Sequence, residues 1–540
     1  MSFGLLNTSL VGLYLLGNLL LGARLSRRVG TARDYYLGDG SAPWWAIGVS
    51  VLATYVSALS FLGGPAWAYG DGLAALIIHI NYPLVVLVCV AVFLPFFYHS
   101  GSASIYAYVE SRFGVGARTV MSVLFLVTQS LTSASILAAT ALVIGFATPI
   151  PFAHAVWGMA GVVVVYTLLG GMNAVIWTDV LQAGILLVGA GAVLVALLTQ
   201  LDLADAAREL AEAGKLDPLD WTLTLAEPNT VWAGVLAMSL FHITVYGTNQ
   251  MMAQRALAAR SLADAKKSYL VMGYAAVFIY AAFFAIGALL WVWFRGEPFA
   301  DTNTVILRFT QTLAVPGLLG LVAAAILSAS MSSLSSAFNS LATIATTDLL
   351  KRFAVPGLGV RAELLTSRLF TVAFALMVVP LAFLFDGGDS LLKSISQVGS
   401  YLVGAKLAVF GMGFFARDVS ERGLLIGVAA GFAALLVLVG LGGLWGVEGL
   451  GADIAWPWYG VVGAGVNIAV AWVATRLLDG RQSWHPLSVP GQRAVFAQSG
   501  APERVDGWWQ VPGRLEPAVW GLLGVFALVM VVLAIVGGLA

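Results

Sequence analysis

The sequence contains little charge and almost no cysteine. Of its 540 residues, 10% are charged, and 27 basic residues balance 27 acidic ones, so the formal net charge is zero. A neutral chain without a basic stripe produces no field that attracts nucleic acid, and nucleic-acid binding is excluded on this ground. The single cysteine, Cys89, excludes an intramolecular disulfide and a cluster of thiolate metal ligands.

Apolar residues make up 60% of the chain and are arranged in long runs. A helix that crosses a bilayer needs about 20 such residues. About fourteen runs of this length are bounded by charge or by Gly and Pro: 4–24, 43–66, 73–97, 119–146, 152–170, 177–200, 231–253, 268–294, 315–347, 366–385, 390–415, 423–446, 456–475 and 517–538. The sequence therefore predicts an all-α polytopic membrane protein with about 14 transmembrane helices. Two of the windows carry enough Gly, Ser and Pro to predict a broken helix.

The basic residues predict how these spans are oriented. Most of the 27 Lys and Arg residues lie between alternate windows, for example Arg112, Arg118, Arg255 and Arg260. Because Lys and Arg accumulate on the cytoplasmic side of a membrane, we expect both termini to be extracytoplasmic. The longest outer loop, 201–230, is an acidic amphipathic stretch that we interpret as a solvated loop helix.

The loops leave no room for a soluble catalytic domain. The longest cytoplasmic connection, 477–515, contains one histidine and no glycine pattern of the kind that cradles phosphates. These features argue against an ATP-driven pump and favour a secondary transporter, a channel, or a membrane-embedded enzyme or sensor.

The second span has a composition that is unusual for a membrane helix. Residues 43–65 place small residues, hydroxyls, Gly and Pro at the centre and outer end of the span. This composition favours an unwound stretch, whose free carbonyl oxygens are hard ligands suited to an alkali cation. The alternative is tight helix packing through small residues.

The ninth span concentrates hydroxyls in the middle of the membrane, within residues 329–340. Residues three or four apart share a helix face, so Ser332, Ser335 and Ser336 point one way and Ser333 lies about 100° round the helix. Two neighbouring cation sites can share such a helix. Serines can also bond to their own helix carbonyls, which is the inert alternative.

Asp179 is a carboxylate near the predicted cytoplasmic start of the sixth span. It is either a cap of that helix or a ligand that supplies negative charge to a cation. Helical periodicity does not separate these two interpretations.

Four ordered segments together resemble the solute:sodium symporter family: residues 34–45, 170–182, 249–255 and 332–340. The similarity covers about residues 30–420. Members of that family have the LeuT-type fold, two inverted five-helix repeats with flanking helices. The resemblance implies the following domains: an extra N-terminal helix in 1–30, a first repeat in 31–200 (spans two to six), a loop in 201–230, a second repeat in 231–420 (spans seven to eleven), and C-terminal helices in 421–540.

The resemblance also implies sodium sites. By motif position, a first sodium ion lies between the second and ninth spans, and its ligands are the carbonyls of Ala53, Val56 and Ala329 and the hydroxyls of Ser332 and Ser333. Some relatives hold a second sodium ion, for which the matching residues are Asp179, Ser332, Ser335 and Ser336. We therefore expect one or two co-transported Na+, with two favoured.

The match to sugar-transporting relatives is weaker at the predicted solute site. His79 and His242 stand where those relatives have an acid and an asparagine, and Tyr55 stands in place of another asparagine. Histidine can donate to a carboxylate, so this pair favours an anionic or zwitterionic solute; a bond to a neighbouring carbonyl is the inert alternative. The full set of predicted solute contacts is Tyr55, Ser57, Ser60, His79, Gln129, His242 and Tyr246.

Lys406 has no counterpart in the family pattern. It lies within the eleventh span. It either extends toward the cytoplasmic surface from the lower part of its helix or offers its charge to a carboxylate.

The predicted function is sodium-coupled import of a small organic solute by alternating access. A monocarboxylate, an amino acid or another anionic or zwitterionic solute is favoured. The alternatives are a sodium/sugar symporter, a proton-coupled carrier and, more remotely, a solute sensor. We expect a monomer without enzymatic activity that contacts its solute, sodium ions and lipid, in a plasma membrane such as the bacterial inner membrane.

Overall fold

The computed structural model describes residues 4–26, 31–100, 104–169, 171–385, 390–441, 447–448, 453–480 and 484–539. Gly170, which belongs to one of the motif segments, lies outside the described residues. The described chain is almost entirely helical, with two short two-stranded antiparallel ribbons, β1–β2 and β3–β4.

The α-helices are numbered in chain order. They are α1 (Gly4–Ser26), α2 (Ala32–Leu37), α3 (Trp44–Tyr55), α4 (Ala58–Asp71), α5 (Tyr82–Val88), α6 (Leu94–Ser100), α7 (Tyr106–Arg112), α8 (Val115–Ala147), α9 (Phe152–Leu169), α10 (Met172–Gln200), α11 (Leu203–Glu212), α12 (Met238–Gly247), α13 (Gln250–Leu257), α14 (Leu262–Trp293), α15 (Val305–Leu313), α16 (Leu318–Ile344), α17 (Val360–Ala382), α18 (Leu391–Phe415), α19 (Glu421–Leu438), α20 (Tyr459–Leu478), α21 (Val489–Ser499) and α22 (Pro517–Gly537).

Shorter segments join or extend these helices. The 3-10 segments are Gly72–His79, Thr302–Thr304, Phe383–Phe385 and Trp456–Trp458, and the π-helical segments are Cys89–Phe93, Ala233–Ala237 and Ala345–Ala354. The strands are β1 (Gly440–Leu441), β2 (Val447–Glu448), β3 (Arg504–Val505) and β4 (Trp508–Trp509).

The helices confirm a polytopic membrane protein. Within the described residues, 11 helical segments are long and apolar enough to cross a membrane, and three shorter apolar helices accompany them: Trp44–Tyr55, Phe152–Leu168 and Ala233–Gly247. Each predicted window falls on one of these segments. The segment Leu318–Ala354 is 89% buried over its most apolar window, whereas α1 is 11% buried, so α16 lies at the centre of the molecule and α1 at its edge.

The second span is broken, as its composition predicts. Helix α3 ends at Tyr55 and α4 begins at Ala58. The span continues beyond the predicted boundary at residue 66, because the glycines near that boundary pack against neighbours instead of ending the helix. A Cβ on Gly63 would come within 2.7 Å of Leu392 Cβ in α18. Helix α4 ends at Asp71, and the next residue, Gly72, has a positive φ of 72° that suits glycine.

Candidate functional site

The break between α3 and α4 exposes backbone oxygens inside the protein. Val56 (φ −75°, ψ 88°) leaves the helical conformation, and Ser57 is extended and accepts a hydrogen bond from Leu59 N through its side chain. Among the described residues, no backbone N–H donates to the carbonyls of Ala53, Tyr55 and Val56. Buried carbonyls without such a partner suit a cation ligand.

The central helix α16 meets this break through Ser333. The hydroxyl of Ser333 donates to the carbonyl oxygen of Thr54 at 2.8 Å, and both residues are buried. Ala329 lies one turn before Ser333 on the same helix. The structure therefore places Ser333 at the junction between α3 and α16, beside the carbonyls of the helix break, whereas the Ser332 hydroxyl donates to Asp179.

A second polar cluster lies around Asp179 of α10. The Asp179 carboxylate accepts from Ser332 at 2.6 Å through Oδ1 and from Ser50 at 2.5 Å through Oδ2. Ser335 and Ser336 instead donate to the Ser332 carbonyl of their own helix, at 3.1 Å and 2.6 Å. Of the two interpretations of Asp179, the helix cap does not apply, because the residue lies inside α10 and is completely buried.

Arg255 balances the charge of Asp179. Its Nη2 lies 3.1 Å from Asp179 Oδ2, and neither side chain is exposed. The guanidinium also donates to Ser50 at 2.8 Å, to the Met251 carbonyl at 2.9 Å, and to Ser336. The guanidinium thus lies among the residues predicted for a second sodium ion.

Arg255 lies in a connection that the sequence predicts to be cytoplasmic, and the sequence did not predict its pairing with Asp179. The signal available was the need of a buried acid for a cationic partner, since a lone carboxylate inside a membrane protein is costly. Arg255 fits this need: it lies in one of the segments that carry the family pattern, and it follows a run of buried residues in α13.

A cavity of about 140 Å³ adjoins the helix break. Helices α3, α4, α8, α12, α13, α14 and α18 contribute to its wall. Its polar lining residues are Thr54, Tyr55, Ser57, Ser60, Thr128, Gln129, Thr132, Thr244, Asn249, Tyr280, Ser396 and Lys406. Four predicted solute contacts, Tyr55, Ser57, Ser60 and Gln129, are therefore on this wall.

The other three predicted contacts, His79, His242 and Tyr246, lie behind the cavity wall in an aromatic cluster. His79 stacks on Tyr280 with ring centroids 4.1 Å apart, and its Nδ1 bonds to Tyr82 at 2.7 Å. His242 Nδ1 donates to the Asn81 amide oxygen at 2.8 Å. The ring of Tyr246 packs on the ring of Tyr55, with centroids 4.6 Å apart. These side chains support the residues of the wall, and their direct contact with solute stays a prediction.

Lys406 belongs to the cavity wall. Its ammonium group donates to Thr128 Oγ1 at 3.0 Å, and the residue is 6% exposed. The Lys406 side chain therefore faces the cavity and does not extend toward the cytoplasmic surface, which was one of the two interpretations that the sequence left open.

The fold and the site define a LeuT-type secondary transporter, with a broken membrane helix that meets a serine-rich helix beside a central cavity. A solved structure of a Na+-coupled sialic acid symporter in a substrate-bound outward-open state superposes with a TM-score of 0.80 at 24% identity, over 89% of this chain and 100% of the other. The family model for the sodium:solute symporter family matches residues 35–431. The chain belongs to the sodium:solute symporter family.

Curated relatives carry solutes of different kinds. The chain is 29% identical over 422 residues to the sodium-coupled monocarboxylate transporter 1 of Mus musculus, covering 76% of this chain and 69% of that protein. It is 27% identical over 492 residues to the sodium/sialic acid symporter SiaT of Proteus mirabilis (strain HI4320), covering 88% and 95%. Sodium is thus the co-transported ion of this family, and the solute must be inferred from this chain's own cavity.

Proposed function

We propose that the protein uses the inward movement of sodium to import a small organic solute. The first sodium ion binds at the junction of the α3–α4 break with α16, to the carbonyls of Ala53, Val56 and Ala329 and the hydroxyls of Ser332 and Ser333. The contact of Ser333 with the Thr54 carbonyl, next to carbonyls that accept no backbone N–H, carries this proposal. Ser333 is the hydroxyl best placed for this ion, since Ser332 donates to Asp179.

The solute binds in the cavity beside the break. Thr54, Tyr55 and Ser57 line this cavity, and the same short segment supplies carbonyls to the ion. The volume of the cavity, about 140 Å³, lies below the roughly 300–1,000 Å³ of pockets that bind drug-sized ligands. This small volume favours a solute of few atoms. Sodium that fixes the break therefore also completes one wall of the solute site.

A second sodium ion is proposed at Asp179, with Ser332, Ser335 and Ser336. Because the guanidinium of Arg255 is paired with Asp179, this ion must displace it. The second ion and Arg255 therefore compete for one carboxylate.

Thermal unfolding in sodium and in potassium at equal ionic strength tests the first ion site. A ligand at 100 times its dissociation constant stabilises a protein by about 2.7 kcal/mol, so sodium should raise the midpoint of the wild type above its value in potassium. Ser333→Ala should lose this increment. Ser330→Ala is the matched control, because Ser330 lies on the same helix but donates to the Ile326 carbonyl and accepts from Thr140, and this variant should keep the sodium increment.

Equal curves for the wild type in the two salts would contradict the proposal. The proton-coupled alternative, in which His79 and His242 carry protons, predicts that result together with uptake driven by a pH gradient alone.

We also propose that the protein works as a monomer in a plasma membrane, such as the bacterial inner membrane, with both termini extracytoplasmic. Thr222 and Ser499 are exposed, in the predicted outer loop and cytoplasmic connection respectively. Labelling of Thr222→Cys and Ser499→Cys with a membrane-impermeant thiol reagent, in a Cys89→Ser background, distinguishes this orientation from its reverse.

A further inference from the structure

The solute cavity carries a single charged side chain among the described residues of its wall, that of Lys406. The Lys406 ammonium group donates to Thr128 Oγ1 and lies 6.0 Å from the centre of the Phe125 ring. No Asp or Glu of the described chain lies within ion-pair distance of it. A hydroxyl and a distant ring compensate the charge of a buried ammonium group only in part.

Two other deeply buried cations in the protein have carboxylate partners, and a third, Arg112, donates to two main-chain carbonyls. Arg255 is paired with Asp179, and Lys266 is paired with Glu516. A buried cation without such a partner is costly, and one that faces a cavity can gain its partner from a ligand. An anion that enters the cavity would supply Lys406 with such a partner.

Gln129 supplies a second donor on the same wall. It follows Thr128 directly on α8 and is 3% exposed. Its amide oxygen accepts from Asn249 at 3.3 Å, whereas its Nε2 has no hydrogen-bond partner among the described residues. An ammonium group and an amide N–H₂ on one wall match the two oxygens of a carboxylate.

The rest of the wall restricts the remainder of the solute. Ile136, Phe241 and Leu392 line the cavity with apolar surface, and one cation matches one negative charge. We propose that Lys406 and Gln129 bind the carboxylate of a short-chain monocarboxylate, whose hydrocarbon end packs on these apolar side chains. This assignment rests on the proposed function, in which the solute occupies this cavity.

Binding and uptake of propionate test the proposal. The full chain is purified for thermal unfolding and reconstituted into liposomes with an inward sodium gradient. Acetate, butyrate, lactate and pyruvate complete the panel, and propionamide serves as the neutral counterpart of propionate. In sodium, propionate should raise the unfolding midpoint and be taken up, whereas propionamide should do neither.

Lys406→Gln removes the charge and retains most of the side-chain length. We expect it to weaken propionate binding and raise the KM for uptake about tenfold or more, because a charge-assisted hydrogen bond is lost. Lys406→Arg should restore part of the affinity, and Gln129→Leu should weaken it several-fold. Lys267→Gln, which changes a partly exposed lysine outside the cavity wall, should behave as the wild type.

The sodium increment measured without solute separates this proposal from the proposed function. Lys406→Gln should retain that increment, which also shows that the variant is folded. If the increment is present in the wild type but no panel acid binds, or if Lys406→Gln takes up propionate as the wild type does, the carboxylate assignment is wrong while sodium coupling stands. If the wild type shows no sodium increment, the proposed function itself fails.

Discussion

Arg255 places a fixed cation at the proposed second sodium site. Its guanidinium holds Asp179 Oδ2 and Ser50, while Ser332 holds Asp179 Oδ1. A buried ion pair repays the loss of hydration when its remaining hydrogen-bonding groups are satisfied, as they are here. Any sodium ion that reaches Asp179 therefore competes with Arg255 for this carboxylate.

Arg255→Gln should make the response to sodium larger. Removal of one partner of a buried ion pair costs about 3–5 kcal/mol, so in potassium the variant should unfold at a lower temperature than the wild type. Sodium can then bind the Asp179 carboxylate, which the variant leaves without its cationic partner. The sodium increment should therefore exceed that of the wild type. Thermal unfolding in the two salts measures both quantities.

The double variant Arg255→Gln/Asp179→Asn is the control for this prediction. It lacks both charges, so the additional sodium increment should disappear, whereas the increment that depends on Ser333 should remain. An increment for Arg255→Gln no larger than that of the wild type would contradict competition between sodium and Arg255.

Individual polar residues were predictable where their own helix carried the signal. Ser333 and Asp179 stand out because hydroxyls and carboxylates are rare within membrane spans. The hydrogen-bonding partners of these residues were harder to predict, because periodicity identifies the face of a helix but not the element that packs on that face. His79 shows a further limit: it ends the 3-10 segment Gly72–His79, whose three residues per turn rotate the side chain away from the face that an α-helix would present.

At the scale of elements, α4 and α18 approach each other beside the cavity, on the side that the proposed orientation places outside. Their close approach at Gly63 is accompanied by a hydrogen bond of 2.8 Å from Ser390 to the Gly63 carbonyl. Farther out, Lys393 Nζ of α18 lies 3.4 Å from Asp71 Oδ2 at the end of α4. Trp67 also donates to this carboxylate, at 2.9 Å.

Asp71→Asn should loosen this outer contact. The side chains of Asp71 and Lys393 are 32% and 29% exposed, so their attraction is screened by solvent and is worth about 1 kcal/mol or less. A loss of this size changes an opening equilibrium up to about fivefold. A cysteine at Ser396, which lines the cavity, should react with an external thiol reagent up to about five times faster in the variant than in its parent.

The comparison is made in a Cys89→Ser, Ser396→Cys background. Asp205→Asn is the control, because Asp205 is paired with Arg208 on the exposed helix α11, and the labelling rate should not change. An unchanged or slower rate for Asp71→Asn would show that this ion pair does not restrain the outer side.

The elements themselves were largely predictable. Hydropathy located the spans because a bilayer core requires long apolar helices, and small residues indicated the break in the second span. Its precise position at Val56 and Ser57, and the continuation of α4 from the predicted boundary at residue 66 to Asp71, depend on which neighbours pack against this span. Tertiary contacts of this kind leave no local pattern, so the sequence placed the boundary too early.

At the scale of the whole molecule, the proposed ion site and the proposed solute site share one short segment. The Thr54 carbonyl contacts Ser333 on the ion side, while Thr54, Tyr55 and Ser57 line the solute cavity. An extended stretch between two helices has few internal hydrogen bonds to hold it, so its conformation depends on what binds to it. Either ligand therefore orders residues that the other ligand uses.

This shared segment predicts a reciprocal coupling between sodium and solute. The factor by which sodium lowers the dissociation constant of propionate must equal the factor by which propionate lowers that of sodium, since both measure one coupling free energy. We expect a factor of about 5–150, the range typical of coupled sites. Binding titrations of each ligand in the presence and absence of the other measure the two factors.

Ser333→Ala should reduce both factors together, because it removes the contact between α16 and the break, whereas Ser330→Ala should reduce neither. Two unequal factors in the wild type would indicate ligand binding outside this cycle, and a factor of one would show that the segment does not couple the two sites.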